Sequence, residues 1–183
     1  MTDRIRDFLR SLPSLAGVGP ALDLDSLPRD PVQLFIEWLE GAVRAGVAEP
    51  HAMTLSTVDE SGAPDARILL LKDVDERGWA FAGTASSGKG HQLRACPRAS
   101  LTFWWQPLVR SVRLRGTVIE ASRSDSLADL RARSVEAQEG VDPDDWTVWR
   151  LVPTRAEFWQ GSTDRRHTRI VFVPDGQNWR VAP

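Results

Sequence analysis

Between residues 52 and 173 the chain breaks into short apolar or alternating runs: AMTLSTV, ARILLLK, WAFAG, SLTFWW, SVRLRGTVIEA, WTVWRLV and TRIVFV. Turn-forming clusters such as DESGAPD, DERG and PDGQ punctuate this region. Runs this short, rich in β-branched and aromatic residues and bounded by Gly, Pro and Asp, are strands rather than helices. The pattern predicts six or seven strands, mostly joined as hairpins. Only two segments with helical character interrupt them, SSGKGHQLRAC and RSDSLADLRARS. A parallel sheet needs a crossover helix at nearly every connection, so the order predicts a mainly β, α+β fold: an antiparallel barrel with helices packed on its outside.

Upstream, residues 1–30 are rich in Pro, Asp and Ser and read as an arm with one short helix at its start. Asp30 followed by Pro31 is an N-cap with proline at the first helical position. The stretch VQLFIEWLEGAVRAG then places Leu34, Trp38 and Val43 on an apolar stripe, predicting an amphipathic helix that ends near Gly46. Residues 31–183 are expected to form one domain, since 183 residues with 42% hydrophobic content suffice for a single core. A formal charge of -2 argues against general binding to nucleic acid, while leaving room for a small basic pocket. Cys96 stands alone, which excludes an intramolecular disulfide and a cysteine-rich zinc site. The start MTDRIRDFLRSL lacks a secretory core, and no apolar run approaches the roughly 20 residues of a membrane span. The expectation is a cytoplasmic protein without membrane partners.

The chemistry-bearing residues are mostly basic. In EFWQGSTDRRHTRI, an extended chain would put Arg165, His167 and Arg169 on one face. Like charges side by side suit an anion, and the planar guanidinium suits phosphate best, although a solvated edge strand explains the same charges. In TASSGKGHQL, Ser86 and Ser87 precede a helix start, Gly88 and Gly90 relieve crowding, and Lys89 falls in the first turn. Free N–H groups, small side chains and a lysine make a phosphate cradle, and serine N-capping explains the serines equally. Arg67 and Lys72 bracket an aliphatic strand, where their odd separation aims them at opposite faces. Ser111, Arg113 and Arg115 share a strand face, and Arg131 and Arg133 follow on the next helix; either set also reads as a solvated surface. His51 and His91 have no partner at metal-ligand spacing, and nothing resembles a nucleophile elbow.

Taken in order, ARILLLK, FAGTASSGKGHQL, SLTFWWQPLVRSVRLRG, EFWQGSTDRRHTRI and the final WRVAP resemble the pyridoxine/pyridoxamine 5'-phosphate oxidase family of FMN-dependent split β-barrel enzymes. The resemblance runs from about residue 31 to the C-terminus. It implies a homodimer with FMN at the subunit interface. Arg67, Lys72, Ser87 and Lys89 would surround the FMN phosphate and ring system, and Trp159 and Arg169 would complete the flavin site from the partner chain. Arg165 and His167 would be the catalytic residues facing the substrate, with Lys72 and Arg133 near its phosphate. The implied reaction oxidises pyridoxamine or pyridoxine 5'-phosphate to pyridoxal 5'-phosphate and reduces O2 to H2O2.

The chain departs from that pattern in several places. Ala82 and Gly83 stand where the family has Tyr-Thr, Gly88 where it has Arg, and Ser111 where it has a flavin-contacting Gln. Asp129 replaces a phosphate-binding Tyr and Ala137 a Ser. Between Gln138 and Trp146 the family carries a much longer segment, including a Gln-Ser pair that contacts FMN. A carboxylate beside a substrate phosphate is repulsive, so Asp129 points toward another substrate. The alternatives are a flavin oxidoreductase of the same fold acting on another substrate, as in phenazine biosynthesis, and a non-catalytic flavin-binding module.

Overall fold

A computed structural model describes residues 2–182. Helix α1 (Thr2–Ser11) is followed by an extended segment and then by α2 (Pro31–Arg44). Asp30 caps α2 by accepting the Val32 N–H at 2.8 Å, and Pro31 occupies the first turn, where no N–H is needed. Leu34, Phe35, Trp38 and Ala42 are buried. Val43, expected on this stripe, is 60% exposed: four-residue steps from Leu34 and Trp38 arrive at Ala42 instead. Gly46, at φ +70°, takes the left-handed conformation just past the helix end.

Among the described residues, nine strands form one antiparallel sheet: β1 (Ala52–Val58), β2 (Pro64–Leu70), β3 (Asp73–Asp75), β4 (Gly78–Thr84), β5 (Arg98–Trp105), β6 (Arg110–Glu120), β7 (Trp146–Gln160), β8 (Thr168–Asp175) and β9 (Asn178–Val181). The hydrogen-bonded path runs β2-β1-β5-β6-β7-β4-β3, with β8 and β9 continuing from β7. The ladder stays open between β2 and β3, so the sheet forms the split barrel that the resemblance implies. β3 and β9, of three and four residues, are too short to display alternation, which is why the sequence predicts fewer strands.

The runs WTVWRLV and EFWQ join into the single 15-residue strand β7. Its first half pairs with β4, its second half pairs with β8, and β6 runs alongside both. Pro153 interrupts the apolar pattern without ending the strand. The register shifts there, Arg115 pairing with Arg155 and Gly116 with Pro153, so that Thr154 bulges out. A side chain at Gly116 would put a Cβ 2.0 Å from the Val152 carbonyl, so only glycine permits this approach.

The core lies between α2 and the inner sheet face. Trp38 meets Phe158 edge-on with centroids 5.3 Å apart, and Phe35 packs against Phe103 at 4.9 Å and Trp79 at 5.6 Å. Each such buried ring contributes about 2–3 kcal/mol. Three further helices flank the sheet: α3 (Gly88–Ala95), α4 (Arg123–Arg131) and α5 (Val135–Gln138). The Ser126 hydroxyl of α4 accepts the Val148 N–H at 3.0 Å, fixing that helix against β7. Residues 139–145 connect α5 directly to β7. Ahead of α2, the extended segment lies along the barrel: Val18 N–H donates to the Pro107 carbonyl, and the Gln160 amide donates to that of Pro20, both at 2.9 Å. No helix among the described residues is long and apolar enough to cross a membrane.

Candidate functional site

The residues singled out by sequence fall into two groups, one at each end of β7. The first surrounds its N-terminal half. Arg67 on β2 donates to Thr57 Oγ1, to Asp65 at 2.6 Å and to Gln92 Oε1 at 2.9 Å, joining β2, β1 and α3. Ser87 occupies the N-cap of α3, but its hydroxyl does not cap the helix. It donates to the Thr84 carbonyl at 2.6 Å and accepts from Lys89 Nζ at 2.7 Å. Ser86 binds elsewhere: its N–H donates to Asp145 Oδ1 at 2.8 Å and its hydroxyl to Oδ2.

Lys89 is half-buried, with its ammonium 5.9 Å from the centre of the Trp149 ring. Burial, reinforced by the nearby Arg67 charge, lowers its proton affinity below the ordinary lysine value. It lies where Gly83 leaves room, since a Cβ at position 83 would stand 2.5 Å from Lys89 Cε and Nζ.

Lys72 and Arg133 lie just beyond the elements expected to carry them. Strand β2 ends at Leu70, so strand alternation does not govern Lys72, which is exposed and is held through its N–H to the Ala80 carbonyl at 2.8 Å. Helix α4 ends at Arg131, and Arg133 follows, its guanidinium 4.3 Å from the centre of the Trp146 ring. Asp129 accepts the Trp146 indole N–H at 3.0 Å, so this carboxylate positions the ring on which Arg133 lies.

The second group occupies the C-terminal half of β7. The sequence places Arg165, His167 and Arg169 on one strand face, and the structure does not. Strand β8 begins only at Thr168, and Arg165 sits in the preceding turn at φ +67°. Asp164 shapes that turn by accepting the Arg166 N–H at 2.9 Å and pairing with Arg166 Nε at 2.7 Å, a local preference that overrides extension. Arg165 and His167 have no carboxylate partner among the described residues. The His167 Nδ1 accepts the Ser162 N–H at 3.0 Å, leaving Nε2 to carry the proton of the neutral ring toward solvent.

His167 lies 5.1 Å from Trp159, and Trp159 lies 6.2 Å from Trp104, centroid to centroid. In register, Ser111 stands between Trp104 and Trp159, and its small side chain lets the two indoles meet. Beside them, Glu157 is buried among three guanidiniums: Arg169 at 2.7 Å, Arg113 at 3.1 Å and Arg155 at 3.5 Å. Burial opposes its ionisation, but the Arg113 and Arg169 charges prevail and hold its carboxyl below the usual range.

Sequence reasoning missed Trp104, Glu157 and Asp145. Alternation with the core residues Trp105 and Phe158 was sufficient to put Trp104 and Glu157 on the opposite sheet face. Asp145 carries no such signal, because its role depends on how residues 139–145 close onto the loop after β4. A cavity of about 720 Å³ borders Ser56, Arg98, Arg115 and Thr154 and contains none of the residues that the family resemblance assigns to the flavin or substrate.

The open antiparallel sheet, with basic and aromatic groups at both ends of one long strand, defines a split-barrel protein. Residues 39–160 match the family model described as pyridoxamine 5'-phosphate oxidase, and residues 146–182 match the pyridoxine 5'-phosphate oxidase C-terminal dimerisation region. The chain belongs to the pyridoxamine 5'-phosphate oxidase family. It is 40% identical to the pyridoxine/pyridoxamine 5'-phosphate oxidase of Bordetella petrii, over 86% of this chain and 90% of that protein. It is likewise 40% identical to the same-named protein of Thermosynechococcus vestitus, over 82% and 86%. Among solved structures, PhzG from Burkholderia lata 383, in complex with tetrahydrophenazine-1-carboxylic acid, matches with a TM-score of 0.82 at 26% identity, covering 91% of this chain and 98% of that one. The Bordetella petrii alignment runs over 188 positions although only part of this 183-residue chain takes part, so that relative carries residues without counterpart here. The short 139–145 connection accords with this difference.

Proposed function

We propose that the chain is an FMN-dependent oxidase that converts pyridoxamine or pyridoxine 5'-phosphate to pyridoxal 5'-phosphate, with reduction of O2 to H2O2, and that it works as a homodimer. Residues 31–183 serve as the cofactor-binding domain, preceded by the arm. The observation that carries the reading is the division of the site along β7. Trp149, beneath Lys89, and Trp159, beside His167, are ten residues apart on one strand, roughly 30 Å at the rise of an extended chain. One small ligand cannot touch both groups of the same chain. A second copy, docked through the region matched to dimerisation, brings the first group of one chain to the second group of the other.

The donor set fits a phosphorylated aromatic cofactor. Arg67, Ser87 and Lys89 offer cations and hydroxyls to the FMN phosphate, Lys72 lies toward its ring system, and Trp159 and Arg169 of the other chain complete the site. When bound, the flavin supplies the two-electron acceptor for the substrate carbon and returns the electrons to dioxygen. The protein's part is orientation and charge. Arg165 and His167, free of carboxylate partners among the described residues, face the substrate and serve as the catalytic pair, His167 donating from Nε2. Lys72 and Arg133, also without carboxylate partners among the described residues, take its phosphate.

A second reading has support in one contact. Asp129 is committed to Trp146 and adds a negative charge beside the ring on which Arg133 lies, which favours a substrate bearing less negative charge there than a phosphate, such as a reduced ring monocarboxylic acid of the kind bound by PhzG. The deciding experiment is flavin absorbance of the purified chain with FMN, followed by peroxide release on adding pyridoxamine or pyridoxine 5'-phosphate. Flavin binding with peroxide supports the oxidase reading. Flavin binding without turnover moves the assignment to the second, and absence of binding overturns both.

A further inference from the structure

We propose that Asp145 sets the phosphate affinity of the loop at residues 84–89, acting as a built-in carboxylate that a phosphorylated ligand has to displace. The inference rests on reading this loop as the phosphate site of the cofactor. Asp145 is the last residue before β7. The Thr84–Trp146 pair closes the β4–β7 ladder, so the residue before Trp146 must face the residues after Thr84. Accordingly, the Asp145 carbonyl accepts the Ala85 N–H at 2.8 Å, and its carboxylate takes both the N–H and the hydroxyl of Ser86. A backbone N–H and a serine hydroxyl ahead of a helix start are donors that a phosphate would use. Here two carboxylate oxygens hold them. Ser86 is exposed, so water could satisfy it, and burial does not force the contact.

The charges around the loop make the same point. Two cations stand here, Arg67 and Lys89. Asp65 pairs with Arg67 at 2.6 Å, and Asp145 lies close enough to Lys89 that each favours the charged form of the other. The four groups sum to zero, so an incoming phosphate gains net attraction only as a carboxylate withdraws. Gly83 contributes by leaving room for Lys89 to lie over Trp149 and bond to Ser87. A ligand lacking the phosphate does not meet Asp145, whereas a phosphorylated one does. Asp145 is therefore a specificity-determining residue that weakens recognition of the phosphate group.

The test uses the full chain, with FMN and riboflavin bound at low and moderate salt and followed by flavin fluorescence. Asp145→Asn keeps the side-chain shape and an acceptor for Ser86 while removing the charge; Asp145→Ala removes both. D145N should bind FMN about tenfold more tightly, with riboflavin unchanged and FMN affinity more sensitive to salt. An unchanged FMN-to-riboflavin ratio in D145N overturns the proposal, and so does a gain confined to D145A, which would trace the effect to release of the loop. Should neither flavin bind either protein, the cofactor reading falls separately and inorganic phosphate decides. Greater thermal protection of D145N than of the unmodified chain sustains the proposal, and equal protection overturns it.

Discussion

Arg169 on β8 reaches diagonally to Glu157 on β7 and donates to its Oε1 at 2.7 Å, although the sequence suggests an arginine turned toward a bound anion. The carboxylate is nearly covered, at 8% exposure, while Arg169 is 55% exposed. Glu157 therefore anchors the guanidinium and leaves its outer donors free, which fixes where Arg169 can present them.

Glu157→Gln should cost about 1–3 kcal/mol, because three guanidiniums lose their shared counter-charge. The folded carboxyl titrates below its ordinary value of 4.5, so its stabilising contribution is complete above that pH and disappears as pH falls through the lowered folded value. Urea unfolding from neutral pH downward should show a shallower acid loss in E157Q than in the unmodified chain. Parallel profiles would remove Glu157 from the acid response.

Arg165→Ala and His167→Ala should each lower peroxide formation, as kcat/KM, by about 10- to 100-fold while retaining FMN, since each removes one polar contact to substrate. Equal loss of flavin affinity would place these residues at the cofactor instead.

Lys89→Ala should weaken FMN binding about 10-fold and leave riboflavin nearly unaffected, because only the phosphate loses its cation. Flavin fluorescence titration measures both, and an unchanged FMN dissociation constant would take Lys89 out of the phosphate site.

How far these sites could be read from sequence differs residue by residue. Asp30 and Pro31 act on their own helix, so the start of α2 was legible locally. The strand AMTLSTV was equally legible, because its alternation directly records which face is buried. The Arg165 turn was not, since alternation from Arg165 onward assumes an extended chain, whereas the Asp164 side chain bends it before β8 begins. That the barrel is split was legible only through the family resemblance, because closure depends on which strands become neighbours rather than on the pattern within any one. Asp145 is the extreme case: its partner Ser86 is 59 residues away, and only the β4–β7 register joins them.

Gly90→Ala should destabilise the fold by about 2–4 kcal/mol and weaken FMN binding with it. A Cβ at position 90 would lie 2.1 Å from the Ala85 carbonyl, so α3 would be pushed off the loop that carries Ser86 and Ser87. Thermal unfolding and flavin titration of the same preparation report both effects, and an unshifted melting temperature would show that the helix accommodates the methyl group.

Strand β7 also has a genetic consequence. In the proposed dimer each copy of the strand belongs to both sites, lending its first half to one and its second half to the other. A mixed dimer of one K89A chain and one H167A chain therefore gathers both lesions into a single site and leaves its companion intact. Two impaired alleles expressed together should complement each other, giving at limiting FMN more activity than either homodimer alone.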